Sequence, residues 1–131
     1  MRGLAIVLGC VLAYGLPAAQ ARPFNRTVPA GETTKMHAYQ SHDNSDCAAT
    51  VGVVKVLSKP SHGKITHHAV NSIIMFDHWG KLHTHCVGTP VRAFQVDYTP
   101  APGFHGVDKF SLDVTWGRAT HDIDTYTVNV E

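Results

Sequence analysis

The chain has 131 residues, 44% hydrophobic and 16% charged, which suits one globular domain and is too apolar for a disordered chain. Eleven Lys and Arg stand against ten Asp and Glu, a balance that excludes a phosphate-binding electrostatic footprint and, with it, a nucleic-acid partner.

Residues 1–21 carry Arg2, an apolar run at 4–16, Pro17 and the small-x-small ending Ala19-Gln20-Ala21. This is the pattern of a secretory signal peptide cleaved ahead of Arg22. The apolar run is short for a membrane span and no second one follows. The expectation is therefore a domain over 22–131, periplasmic or secreted, with no transmembrane segment once the leader is gone. Lipoprotein processing at Cys10, within Val7-Leu8-Gly9-Cys10, is the rival, although the apolar stretch ahead of that cysteine is shorter than a usual signal core. Two cysteines remain beyond the leader, Cys47 and Cys86, and an exported protein favours their pairing as a disulfide. Closing the 39-residue loop between them stabilises a fold by about 4 kcal/mol on a chain-entropy argument. The competing reading makes Cys86 a metal thiolate beside His85 and His83; against it, an exposed free thiol survives poorly outside the cytoplasm.

No stretch of the domain keeps apolar residues at helical spacing, whereas short runs of Val, Ile, Thr, Phe and Tyr recur between Gly, Pro and Asn. Strands are expected at 25–28 and at 33–39, where Thr34, Met36 and Ala38 alternate with Thr33, Lys35 and His37. The polar run at 41–46 is a loop. Strands at 50–57 and 64–70 flank the turn Pro60-Ser61-His62-Gly63, with a further apolar run at 73–76, a turn at 77–80 and a strand at 81–87. A strand at 91–98 ends at Pro100-Ala101-Pro102-Gly103. Phe110, Leu112, Val114 and Trp116 then share one face of a half-buried strand. In the last strand Tyr126, Val128 and Val130 face inward, and the wrong parity of His121 and Ile123 predicts a bulge or strand start near Asp124. The sum is an all-β chain, an antiparallel β-sandwich of about seven or eight strands with one disulfide.

The stretch Val96-Asp97-Tyr98-Thr99-Pro100-Ala101-Pro102-Gly103-Phe104-His105-Gly106-Val107-Asp108-Lys109-Phe110 resembles the YTPxPGFxGxDxF signature of bacterial Ig-like, cadherin-like domains. Pro60-Ser61-His62-Gly63-Lys64-Ile65 resembles the PxHGxV turn found upstream in that family. Pro100 and Pro102 stiffen the corner, Gly103 and Gly106 permit positive φ, Phe104 and Phe110 can enter the core, and Asp108 suits backbone amides of the same corner. The resemblance implies an Ig-like sandwich without enzymatic activity. It departs from the family in its solitary copy and in the long segment 71–92 carrying Cys86, which looks like a small secreted disulfide-containing variant. No calcium-site acidic clusters are carried over.

All ten histidines lie beyond residue 36, and imidazole suits Zn or Cu near neutral pH. In a strand, His83 and His85 project to one face. Pairing of 64–70 with 81–87 would bring in His67 or His68, with His78 at the turn between. A Zn or Cu site of His83, His85, His67 and His78 is thus the alternative to an Ig-like binding or structural domain whose partner is an unidentified protein or cell-envelope component. Exposed strand histidines with no role are the plainer reading of each residue taken singly. Enzyme signatures fail: Arg22 stands where a histidine brace needs histidine, Cys86 is followed by Val87-Gly88-Thr89-Pro90 rather than blue-copper ligands, and no nucleophile elbow or phosphate loop occurs.

Overall fold

The computed structural model describes residues 20–75, 85–116 and 120–131. Seven strands run in chain order: β1 (Gln20–Val28), β2 (Thr34–Tyr39), β3 (Val51–Ser58), β4 (Gly63–Ile73), β5 (Pro90–Pro100), β6 (Gly106–Trp116) and β7 (Thr120–Val130). They form a four-stranded sheet, β1-β7-β6-β3, and a three-stranded sheet, β2-β5-β4. The chain crosses between sheets at β1–β2, β2–β3, β3–β4 and β5–β6, the Ig-like way of burying two half-apolar sheets on each other. Four strand pairs are antiparallel; the fifth, β1 on β7, is parallel, with Phe24 beside Tyr126 and Val28 beside Val130.

The alternation read in β6 and in the end of β7 holds. Phe110, Leu112, Val114, Tyr126, Val128 and Val130 are buried against Val28, Met36, Tyr39, Val54, Val96 and Tyr98 from the other strands. Through this core runs a column of near-parallel rings, Tyr98, Phe110, Tyr126 and Phe24, with successive centroids 6.1, 4.6 and 4.9 Å apart. Each such stack adds about 1 kcal/mol beyond the area it buries.

Three expectations are corrected. In β2 the register shifts between Lys35 and His37. Two residues there oppose one on β5, so Met36 and Tyr39 both enter the core and the simple Thr34-Met36-Ala38 face is broken. The strand expected at 64–70 does not stop there: β4 runs on to Ile73, the first residue of the next apolar run, and pairs throughout with β5, Gly63 with Pro100 and Ile73 with Pro90. Lastly, β7 has no bulge near Asp124: its register with β6 is unbroken from Thr120 to Val130. Ile123 faces outward, and the inner positions are taken by Asp122 and by the fully buried Asp124. A charged side chain at a core position needs partners, and Asp124 has them in Arg22 and Tyr39.

Candidate functional site

Three polar centres interrupt the apolar interior. The first is at the corner that follows β5. Asp108, 3% exposed, accepts the amides of Ser61 and His62 at 2.9 Å each, its neighbour Lys109 at 2.9 Å and the Tyr98 hydroxyl at 2.9 Å. Asp108 does accept backbone amides, but two of its four donors, Ser61 and His62, come from the β3–β4 turn packed against this corner. Burial by itself pushes this carboxyl up; the amides of His62 and Ser61 with the Tyr98 hydroxyl outweigh it and hold the pKa below the ordinary value. The same contacts raise the Tyr98 hydroxyl, with burial the larger cause. His62 stacks on Phe104 at 4.3 Å and closes the corner.

The second centre joins β1 to β7. Arg22 Nε donates to Asp124 Oδ1 at 2.7 Å and its Nη2 to Oδ2 at 3.0 Å, a two-pronged grip on a carboxylate with no solvent exposure. Tyr39 donates to Oδ2 at 2.6 Å, and with that proton committed, the 2.8 Å contact between hydroxyls has Tyr126 donating to Tyr39. Arg22 also reaches Asp122 at 3.2 Å and lies over the Trp116 ring, whose Nε1 donates to Asp122 at 2.7 Å. His37 packs between Phe24 and Tyr39, and burial lowers its pKa. None of these residues was marked as a site from sequence. The one available signal was the parity break at His121 and Ile123, which placed carboxylates on the inner face.

The third centre carries the predicted cross-link. Cys47 and Cys86 form a disulfide with Cα atoms 5.4 Å apart. The β2–β3 connection is a small hairpin: Cys47 donates to the Asp43 carbonyl at 2.9 Å, and the Asp43 and Asp46 carboxylates accept from Ser45 and Ala48 within the turn. The β4–β5 connection is tied at its base by Gly88 to Ile74 and Ile74 to Thr89. Cys86 packs with Ile74 and Val91. Val91 and Ala93 have the parity of Gln95 and Asp97, opposite to Val96 and Tyr98. The disulfide therefore pins both connections over the outer face of the three-stranded sheet, where they bury a small second core.

Of the four predicted metal ligands, the structure places only His67 and His85. His78 and His83 lie outside the described residues, as do residues 81–84 of the strand expected at 81–87; its last residues, 85–87, are in a turn at 85–88 instead. Residues 64–70 pair with β5, where His67 stands opposite Val96. Six residues along β4 separate His67 from Ile73, about 20 Å at the usual rise. His85 adjoins Cys86 beside Ile74, so His67 and His85 do not face one ion. His68 turns to the outer sheet face, its Nδ1 3.6 Å from Asp97. His121 sits 3.0 Å from Asp113 on the outside of the other sheet, and His105 is exposed. His85 instead meets the disulfide, Nε2 3.5 Å from Cys86 Sγ.

The class these features define is a two-sheet, Ig-like β-sandwich stapled by one disulfide across two connections. No family model matches the chain, and no curated protein matches it. Two solved structures share a distant outline. The solution structure of amebosin has a TM-score of 0.43 at 12% identity, over 87% of this chain and 99% of that one. A Photobacterium 2,6-sialyltransferase in complex with CMP and lactose has 0.34 at 11%, over 88% of this chain and 18% of that one. At these scores neither likeness bears on the chemistry of this chain.

Proposed function

We propose that this protein is an exported, non-enzymatic Ig-like module, periplasmic or secreted after loss of residues 1–21, which acts by binding a protein or cell-envelope partner or as a structural element. The observation that carries the reading is the Cys47–Cys86 disulfide: it joins two surface connections, a cross-link that persists where thiols are kept oxidised. The leader pattern at 1–21 supports the same compartment, and the two corner motifs that resemble bacterial Ig-like, cadherin-like domains support the role. Both fully enclosed carboxylates, Asp108 and Asp124, have their oxygens occupied by partners that hold the fold together. That use of buried charge favours binding over catalysis. Among the described residues no helix is long and apolar enough to cross a membrane.

The test is expression of the full chain in a bacterium, followed by fractionation, N-terminal sequencing and intact mass. The expected product starts at Arg22, leaves the cytoplasm and resists thiol alkylation until reduced. A cytoplasmic full-length product with two free thiols at Cys47 and Cys86 overturns the reading, and an acylated N-terminal Cys10 replaces it with a lipoprotein.

A further inference from the structure

We propose that Cys47, His85 and Cys86 form a latent zinc site, closed while the disulfide stands and opened by its reduction. The two Sγ atoms and a ring nitrogen of His85 all lie within 4.8 Å of one another. On a tetrahedral zinc, with Zn–N and Zn–S bonds of about 2.05 and 2.3 Å, a nitrogen and a sulfur ligand stand about 3.6 Å apart. His85 Nε2 and Cys86 Sγ are already 3.5 Å apart. The sulfurs, 2.07 Å apart as a disulfide, must part to about 3.8 Å to share the same ion. Neither cysteine belongs to a strand, so this opening breaks no ladder hydrogen bond.

The chemistry balances in two steps. A dithiol donor delivers two electrons and two protons to the S–S bond and becomes a disulfide itself, leaving Cys47 and Cys86 as thiols. Zinc then displaces both thiol protons, forming two Zn–S bonds and one bond to the neutral His85 imidazole, with the fourth position open to water. Cys86 is 1% exposed and rests on Ile74 and Val91, whereas His85 is exposed; the ion enters from the His85 side and sits against an apolar floor. The consequence is a staple with two forms. Either a covalent bond or a metal ion holds Cys47 of the β2–β3 connection and Cys86 of the β4–β5 connection together over the three-stranded sheet. The inference does not depend on the binding role proposed above, and its failure leaves that role untouched.

The experiment titrates Zn²⁺ into the purified protein, oxidised or reduced with a phosphine, and follows it by native mass spectrometry and thermal unfolding, with Co²⁺ as a spectroscopic stand-in. The reduced protein is expected to bind one ion at least about 100-fold more tightly than the oxidised one, to show thiolate-to-cobalt charge transfer, and to regain with zinc the thermal stability lost on reduction. His85→Ala should weaken binding by the reduced protein about 10-fold or more, and Cys47→Ser should remove the charge-transfer band. Equal binding by the oxidised protein overturns the proposal in favour of the other histidines. Unchanged affinity in His85→Ala, or zinc bound without recovered thermal stability, overturns it as well, the latter because the ion then sits on unfolded thiols.

Discussion

Asp108 and His37 are both titratable groups drawn into the interior, and each gives stability a pH dependence of known sign. The Asp108 carboxyl is held below its ordinary value, so as pH falls the unfolded chain takes up its proton first. Its contribution is complete above about pH 4 and is lost as pH falls through the lower, folded value. Asp108→Asn should remove that part of the acid sensitivity and cost about 2 to 3 kcal/mol at neutral pH, because an amide cannot accept from all four donors. Urea unfolding at pH 7 and pH 3 checks both, and an unaltered acid limb in the variant contradicts the assignment. His37 is lowered by burial, so its neutral ring stabilises the fold above the ordinary value of about 6.5 and progressively less below it. His37→Phe should flatten the decline in stability between pH 6.5 and the lower folded value, in the same assay.

At the scale of the element, β1 pairs among the described residues through one edge, with β7, and its side-chain hold is the ring column plus Arg22. Arg22→Ala leaves the Asp124 carboxylate enclosed without its counter-charge and should cost about 3 kcal/mol or more. Arg22→Lys should recover only part of this, since an ammonium cannot grip both oxygens in the same plane. Amide hydrogen exchange should show β1 losing protection in both variants before β6 does; uniform loss would mean that β1 does not open separately. The start of β4 is constrained differently. A Cβ on Gly63 would meet Tyr98 Cε2 at 2.5 Å and the Thr99 carbonyl at 2.7 Å, so Gly63→Ala should destabilise by about 1 to 3 kcal/mol through overpacking, read as a lower denaturation midpoint. The strands themselves were legible in advance because alternation is local: each residue of β6 reports its own face. The bulge in β2 was not, since a one-residue register shift leaves no mark in a segment where Met36 and Tyr39 are separated by the half-buried His37 and Ala38.

For the molecule as a whole, the main core and the small cluster of Ile74, Cys86 and Val91 are distinct, and the disulfide serves the second. Reduction should therefore lower global stability by about 4 kcal/mol, the loop-closure value, while the paired Cys47→Ala, Cys86→Ala variant keeps the β-sheet circular dichroism of the parent. Loss of that spectrum would show that the two cores fold as one. The long loop that the disulfide closes also explains how little of the candidate site could be read beforehand. The cysteines named themselves by number and compartment, but the proximity of His85 to both sulfurs depends on where a 39-residue separation closes.

The amino-acid order alone determined that the chain is all-β, where β2, β3 and β5 begin and end to within two residues, that Cys47 and Cys86 pair, and that the Pro100 to Phe110 corner turns on Gly103 and Gly106, both of which adopt positive φ. These follow from period-two alternation, turn chemistry and cysteine count, each a property of short segments. Only the tertiary structure decided that β1 runs parallel to β7, that β4 pairs with β5 and thereby parts His67 from His85, and that a carboxylate at Asp124 is tolerable in the core. Alternation states which face a residue occupies and never which strand lies beside it. Asp124 is stable there because Arg22, 102 residues away in sequence, and the Tyr39 hydroxyl reach it in space.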